Sequence, residues 1–259
     1  MSVWLRSLLF QLAQLFVTPV FALIAILILP LPPILRYRIV TQWSRIYVWL
    51  GAVLCGVRFK VEGAENLPDT PCVIFSKHQS AWETVAYSQI FPPQVWVAKR
   101  ELAWVPFFGW GLATLSPILI NRSDKRKANK QLIEQGRDRI RKGFWIVIFP
   151  EGSRILPGRK GSFKTGGARL ARDLGVPILP VALNSGEFWP KNSFRRYPGV
   201  ITVVIGQPIS PVGQTVQSLT EAGESWIDQQ MQRIGNAGPC YPRHESPRAT
   251  TIISPATLD

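Results

Sequence analysis

Histidine and cysteine are scarce in this sequence of 259 residues. The three cysteines (Cys55, Cys72 and Cys240) show no paired spacing, so we expect free thiols in a reducing compartment and no disulfide framework. The two histidines are far apart and there is no Cys-x-x-Cys, so no metal site is expected. Because His244 lies in a proline-rich tail, we expect any imidazole chemistry near neutral pH to use His78.

Acidic residues are also few, and none precedes Glu62. The chain has 30 Lys and Arg against 16 Asp and Glu, a net charge of +14 and a pI near 10.3. Such an excess needs an anionic partner, which leaves nucleic acid, anionic lipid and a phosphorylated substrate as classes. Hydrophobic residues make up 46% of the chain, enough for a one-domain α/β body with an appendage.

Charge of either sign is missing between Ser7 and Leu35. The run is long enough to cross a hydrocarbon core of about 30 Å, and Pro19 is expected to kink it. It is too long for a signal peptide and no small-residue cleavage site follows it. Arginines flank it at both ends, so the positive-inside rule does not favour a single crossing. We interpret it as a re-entrant or monotopic anchor.

A second apolar segment, Ile46 to Val57, is too short to span a bilayer alone and has aromatic residues near its start. It is expected to lie in the interface or to form the return arm of a shallow hairpin. Residues 1–57 are therefore predicted to be a membrane-anchoring segment with one long apolar helix and one shorter interfacial helix.

From residue 58 onward, short apolar runs alternate with helical patterns. This alternation predicts an α/β domain over residues 58–235, with a mixed, largely parallel sheet covered by helices. After residue 235 the composition turns to Pro, Ser, Thr, Arg and Gly, which predicts a disordered tail over 236–259. The predicted strands are Phe59–Val61, Cys72–Phe75, Val95–Ala98, Ile118–Ile120, Trp145–Phe149, Ile178–Leu183 and Ile201–Ile205. The predicted helices are Ala81–Ile90, Lys125–Arg141, Gly166–Leu174 and Thr215–Ile234.

The stretch from Ser76 to Thr84 combines an imidazole with a carboxylate five positions later, at Glu83. On one continuous helix the two side chains would point to different faces. They meet if His78 lies in the loop after a strand and Glu83 in the first turn of a helix that Ser80 caps. A second interpretation remains open, because Ser80-x-x-Glu83 is also a capping box in which Glu83 bonds only the backbone.

Two other strand ends carry side chains suited to a phosphorylated ligand. Arg122 follows one strand and is placed for a phosphate, although it also fits a solvated residue that leads into a basic helix. Phe149–Pro150 ends another strand, and the next four residues offer a carboxylate, a flexible backbone, a hydroxyl and a guanidinium: Glu151, Gly152, Ser153 and Arg154. Ser153 lacks the Gly-x-Ser-x-Gly setting of a hydrolase nucleophile.

The helix predicted from Lys125 is rich in Lys and Arg and has only a thin apolar stripe. One interpretation is a solvated helix face, and the other is a face that lies against anionic lipid. The residues alone leave both open.

Taken together, these blocks resemble the glycerolipid acyltransferases, and most closely the bacterial 1-acyl-glycerol-3-phosphate acyltransferases. The resemblance covers roughly residues 40–215. Where this chain has Glu83, the family usually has Asp, so an extra methylene must be accommodated. Four blocks match in order and spacing: His78-x4-Glu83, Ile120-Asn121-Arg122, Phe149 to Arg154, and Val176 to Val181.

The resemblance implies that His78 is a general base held in its tautomer by Glu83. It also implies phosphate binding by Lys99, Arg122 and Arg154, and glycerol binding by Glu151 beside Gly152 and Ser153. The co-substrate would be an acyl-CoA or acyl carrier protein thioester, with no other cofactor. The acceptor would be lysophosphatidic acid, or alternatively another lysolipid or a lyso-aminolipid.

The location that the resemblance implies is the bacterial inner membrane, with the active site on the cytoplasmic side and membrane lipids as partners. A nucleic-acid-binding protein is the rival class on charge alone. It is disfavoured by the apolar start of the chain and by a carboxylate within each of the two strongest motifs, at Glu83 and Glu151.

Overall fold

A computed structural model of the chain describes residues 1–104, 108–121 and 125–242. Within these ranges the chain forms seven α-helices and seven β-strands, with three short 3₁₀ turns. The helices are α1 (Val3–Leu27), α2 (Pro33–Cys55), α3 (Trp82–Ile90), α4 (Phe108–Thr114), α5 (Lys125–Arg141), α6 (Gly166–Leu174) and α7 (Val216–Ile234). The strands are β1 (Val57–Glu62), β2 (Val73–Ser76), β3 (Gln94–Lys99), β4 (Ile118–Ile120), β5 (Trp145–Ile148), β6 (Ile178–Leu183) and β7 (Gly199–Ile205).

The strands form one sheet in the order β1-β7-β6-β2-β5-β3-β4. β6, β2, β5, β3 and β4 are parallel to one another. β7 is antiparallel to β6, and β1 is parallel to β7. The predicted strands and the mixed, largely parallel sheet are confirmed. Because five strands run the same way, their carboxyl ends meet at one edge, where ligands bind in such sheets.

Side chains that alternate along the buried strands build a core on each face of the sheet. In β2, Ile74 points to the face that α1, α2 and α3 cover, whereas Val73 and Phe75 point to the face that α5, α6 and α7 cover. Both sets are fully buried, which explains why the parallel strands are continuous apolar runs and not alternating patterns.

The N-terminal region is a hairpin of two long helices, which corrects the prediction of a short second segment. α2 has 23 residues and begins at Pro33, in the first helical turn, where proline is well tolerated. Its buried residues recur every three or four positions and face the body of the protein, while its arginines do not interrupt that face. The buried set is Tyr37, Val40, Ser44, Val48, Gly51 and Cys55.

The end of the described chain also differs from the predicted tail. The backbone N–H groups of Asn236, Ala237 and Gly238 donate to the buried carboxylate of Glu187 at 3.0, 2.8 and 2.7 Å. The tail therefore begins with a docked segment, because a buried carboxylate needs such donors. Residues 243–259 lie outside the described residues.

Candidate active site

Three parallel strands bring the polar residues of the candidate site to one edge of the sheet. His78 follows β2, Glu151 follows β5 and Ser185 follows β6. Since β2 lies between β5 and β6 in the sheet, the loops after these strands are direct neighbours. The topology therefore places residues that are far apart in sequence around His78.

The imidazole and the carboxylate of the His78-x4-Glu83 block are in hydrogen-bond contact. His78 lies in the loop before α3 and Glu83 in the first turn of that helix. Nδ1 of His78 is 3.0 Å from Oε1 of Glu83, whose side chain is fully buried. The side chain of Glu83 thus reaches the ring, with its extra methylene relative to Asp accommodated. An Nδ1–H that donates to a carboxylate leaves the lone pair on Nε2, as a general base requires.

Glu83 also bonds the backbone, so this carboxylate both orients the His78 ring and caps the start of the helix. Its Oε1 accepts from the N–H groups of Gln79 at 2.7 Å and Ser80 at 2.8 Å. The prediction that Ser80 is the N-cap is wrong by one position, because the cap is Ala81, whose side chain has no oxygen. The hydroxyl of Ser80 accepts from the Trp82 N–H at 3.1 Å, so it still caps the first turn.

A residue that the sequence did not reveal completes the shell around Glu83. The hydroxyl of Ser185 donates to Oε2 of Glu83 at 2.8 Å, and both residues are fully buried. The two are 102 positions apart, in the blocks after β6 and β2. No local pattern signals this contact. With four donors on its two oxygens, the Glu83 carboxylate is held in a single orientation.

The free side of the His78 ring lies at the surface of the site. One face of the ring stacks on Phe149, with 3.9 Å between ring centroids and 14° between planes. The side chain of His78 is 13% exposed. No hydrogen-bond partner for Nε2 is found in the part of the chain that the structure describes. The nitrogen that would accept a proton is therefore open to a ligand while the ring itself is fixed.

Glu151 holds the main chain of the His78 loop. Its buried carboxylate pairs with the ammonium of Lys77 through Oε1 and accepts from the His78 N–H at 3.0 Å through Oε2. Burial raises the pKa of the Glu151 carboxyl, and Lys77 and the His78 amide oppose that rise. Both oxygens of Glu151 therefore have partners inside the protein, and binding of the substrate glycerol by Glu151 stays a prediction.

The loop after Glu151 wraps around His78 and carries the remaining predicted ligands. The Ile155 N–H donates to the His78 carbonyl at 2.8 Å. Gly152 has a φ of +72° and lies against the Lys164 side chain, so a side chain at 152 would be strained and would meet the lysine. Ser153 is exposed and Arg154 is half-buried. Lys164 is a further cation at this loop.

Two predicted phosphate ligands cannot be placed. Arg122 lies outside the described residues, and the same holds for the side chain of Lys99 at the end of β3. Within the ranges described, no three or more His, Cys, Asp or Glu side chains form a group that could hold a metal ion.

Comparisons with known proteins identify the family of this chain. Residues 58–184 match the family described as Acyltransferase. A 1-acyl-sn-glycerol-3-phosphate acyltransferase of Pseudomonas aeruginosa is 48% identical over 203 residues, which cover 77% of this chain and 79% of that protein. The chain belongs to the acyltransferase family. The site residues from Lys77 to Arg154 all lie within the matched range. Of these, Arg122 and the side chain of Lys99 lie outside the described residues.

Two further proteins are less similar to this acyltransferase. A 1-acyl-sn-glycerol-3-phosphate acyltransferase of Saccharomyces cerevisiae is 32% identical, over 76% of this chain and 67% of that protein. The crystal structure of the 1-acyl-sn-glycerophosphate (LPA) acyltransferase PlsC from Thermotoga maritima superposes with a TM-score of 0.71. The superposition covers 90% of this acyltransferase and 97% of that chain at 23% identity, so it shows that the fold is shared.

Proposed function

We propose that this acyltransferase moves a fatty acyl group from an acyl thioester to the free hydroxyl of 1-acyl-sn-glycerol-3-phosphate, which gives phosphatidic acid. The observation that carries the proposal is the contact of His78 Nδ1 with a buried Glu83, which leaves Nε2 open. The activity for which the relatives are named supports the choice of acceptor. The thioester is that of coenzyme A or of an acyl carrier protein.

In the proposed reaction His78 is the general base. Nε2 takes the proton of the acceptor hydroxyl as its oxygen attacks the thioester carbonyl, and the Glu83 carboxylate stabilises the imidazolium that forms. Collapse of the tetrahedral intermediate breaks the carbon–sulfur bond. The thiolate that leaves has a pKa of about 8.5, as judged from cysteine, so it needs little help from an acid. The acceptor itself is the nucleophile, and no acyl-enzyme is formed.

The acceptor phosphate is proposed to bind at the loop after Glu151. The guanidinium of Arg154 has no ion-pair partner among the described residues, and Lys164 is exposed beside Gly152. Charge-assisted bonds from such groups suit a phosphate. Lys99 and Arg122 remain proposals from the sequence. Glu151 supports the neighbouring His78 loop from inside, through Lys77 and the His78 N–H.

The helical hairpin is proposed to anchor the enzyme to one side of the bacterial inner membrane, with the site on the cytoplasmic side. α1 is long and apolar enough to cross a bilayer by length and composition. However, it packs on α2 and α4, and its buried residues include Ser7 near one end and Ala25 near the other. Its outer face exposes large apolar side chains such as Leu15 (68%), Phe16 (77%) and Leu27 (77%). This pattern suits a helix that lies along the bilayer surface.

The test is an acyl-transfer assay on purified protein with a panel of acceptors: lysophosphatidic acid, monoacylglycerol, lysophosphatidylcholine and a lyso-aminolipid. We expect lysophosphatidic acid to be preferred. Arg154→Ala is expected to reduce kcat/KM on that acceptor by about ten- to a hundred-fold, because a charge-assisted contact with phosphate is lost. The loss on monoacylglycerol, which has no phosphate, is expected to be small.

Equal losses on both acceptors would mean that Arg154 holds the loop or binds the donor. Preference for another acceptor would overturn the assignment of the substrate. Fractionation addresses the rival class, because a nucleic-acid-binding protein should leave membranes in high salt, whereas this enzyme should require detergent.

A further inference from the structure

A second concave site lies away from His78, where the helical hairpin meets the edge of the sheet. It is a cavity of about 380 Å³ between the first turn of α2, the helix α4 and the entry to β4. This volume is in the range of small-molecule sites, about 300–1,000 Å³. Its apolar wall includes Pro33, Leu112 and Leu119, and its polar wall includes Arg36, Arg139 and Lys142.

The cavity is separate from the candidate active site. Pro117 directly precedes β4, and Lys142 lies just before β5. His78 follows β2, which runs parallel to β5. The cavity therefore lies at the amino edge of the sheet and His78 at the carboxyl edge. Nothing in the proposed acyl transfer accounts for it.

Cations outnumber carboxylates at this cavity. Asp138 is the partner of both Lys142, at 2.9 Å, and Arg139, whose Nε also donates to the Ser116 carbonyl at 2.7 Å. Arg36 donates from Nη1 to the Leu29 carbonyl at 3.1 Å. Its Nε is buried and no acceptor for it exists among the described residues. Arg139 and Lys142 share the one carboxylate of Asp138, whereas no carboxylate partner for Arg36 is found among the described residues. A buried donor without an acceptor is costly unless a ligand or water supplies one.

The residues around Arg36 indicate which kind of anion would bind in the cavity. Arg36 lies in the first turn of α2, next to the turn that joins the two helices of the hairpin. Leu29 and Leu35 flank this position and expose 43% and 44% of their surface. If the hairpin anchors the enzyme as proposed above, a cationic cavity beside its exposed leucines is suited to the headgroup of an anionic lipid, with its glycerol against the apolar wall.

We propose that this cavity binds the headgroup phosphate of an anionic phospholipid of the bilayer. The hairpin links the two sites. Near its start α1 is tied to the body by the Arg196 N–H, which donates to the Ser7 hydroxyl at 2.9 Å. Its other end lies by the cavity, through Leu29 and Arg36. A lipid bound there would hold the far end of the hairpin against the membrane while the near end stays at the body.

The test is a calorimetric titration of the full-length protein in detergent, with no acyl donor present. The probes are dihexanoyl phosphatidylglycerol, dihexanoyl phosphatidylcholine and inorganic phosphate. Arg36→Gln is expected to weaken phosphatidylglycerol binding about tenfold. Arg38→Gln is the matched control, because it removes the same charge from an exposed position of the same helix. It is expected to leave the affinity unchanged. Lys142→Gln is a second cavity variant in case Arg36→Gln does not fold.

Three results would overturn the proposal. Equal weakening by Arg36→Gln and Arg38→Gln would indicate that the lipid is attracted by the overall positive charge of the protein and not by the cavity. Equal affinity for phosphatidylcholine would show that the anionic headgroup is not recognised, and equal affinity for inorganic phosphate would indicate a site for a free anion. Acyl transfer by Arg36→Gln in neutral micelles is expected to stay unchanged, so failure here is distinguishable from failure of the proposed function.

Discussion

Two buried carboxylates flank His78, and they act on different parts of the same residue. Glu83 contacts the ring at Nδ1, whereas Glu151 accepts from the backbone N–H. Glu83 is bonded only by neutral donors other than the ring: two amides and one hydroxyl. Glu151 instead has a full counter-charge in Lys77.

This difference indicates that Glu83 acts in the reaction, whereas Glu151 positions the loop that carries His78. A carboxylate without another cation is free to stabilise an imidazolium when His78 takes a proton. A carboxylate already paired with a lysine contributes little to that step, but it fixes the loop on which His78 lies. We therefore expect changes at Glu83 to appear in the rate, and changes at Glu151 to appear in the stability of the fold.

Among changes at the two carboxylates, Glu83→Gln is expected to have the largest effect on the rate. The amide keeps the size of the side chain and can still bond the backbone, but it has no charge to stabilise the imidazolium. We expect kcat to fall by about 10²–10⁴-fold, the usual contribution of general base catalysis, with a small change in melting temperature. A loss of stability of about 1 kcal/mol with unchanged turnover per folded molecule would instead support a pure capping role.

Glu151→Gln is expected to act mainly on stability. The change leaves Lys77 buried without a counter-charge, which costs about 3–5 kcal/mol in comparable pairs. The double variant Lys77→Met with Glu151→Gln removes both charges and should recover most of that loss in a denaturant melt. If Glu151 bound the glycerol of the acceptor, the double variant would fold well but show a strongly raised KM for lysophosphatidic acid.

Ser185→Ala has the smallest expected effect and tests how tightly Glu83 is held. Loss of one hydrogen bond to a charged group corresponds to about 1.5 kcal/mol, or roughly a tenfold fall in kcat with KM unchanged. Ser185→Thr keeps the hydroxyl and should restore the rate. Equal kinetics in the two variants would show that this hydroxyl does not position the carboxylate.

The sheet could be predicted because its strands are continuous apolar runs that end in polar residues. The hairpin could not be predicted fully. Arg36, Arg38 and Arg45 obscure the apolar pattern of α2, although its buried face continues from Tyr37 to Cys55. The helix α4 was not predicted either, since it has seven residues and contains Gly109 and Gly111. Short helices of this kind depend on tertiary packing more than on local sequence.

In the site, too, local contacts could be predicted from the sequence and contacts made by tertiary packing could not. His78 and Glu83 could be paired from the sequence because a loop followed by a helix start brings them together locally. Lys77 and Glu151 are separated by 74 positions, and only the parallel pairing of β2 and β5 brings their loops together. A sequence motif indicated that Glu151 was important, but it did not show that the carboxylate points inward.

The most direct test of His78 as the general base is the turnover of His78→Ala on lysophosphatidic acid, measured per folded molecule and alongside a thermal melt. We expect the variant to melt close to the wild type and to lose about 10²–10⁴-fold or more of its rate, since no other imidazole lies within residues 58–235. A folded variant that keeps more than a few per cent of wild-type turnover would contradict the assignment of His78 as the base.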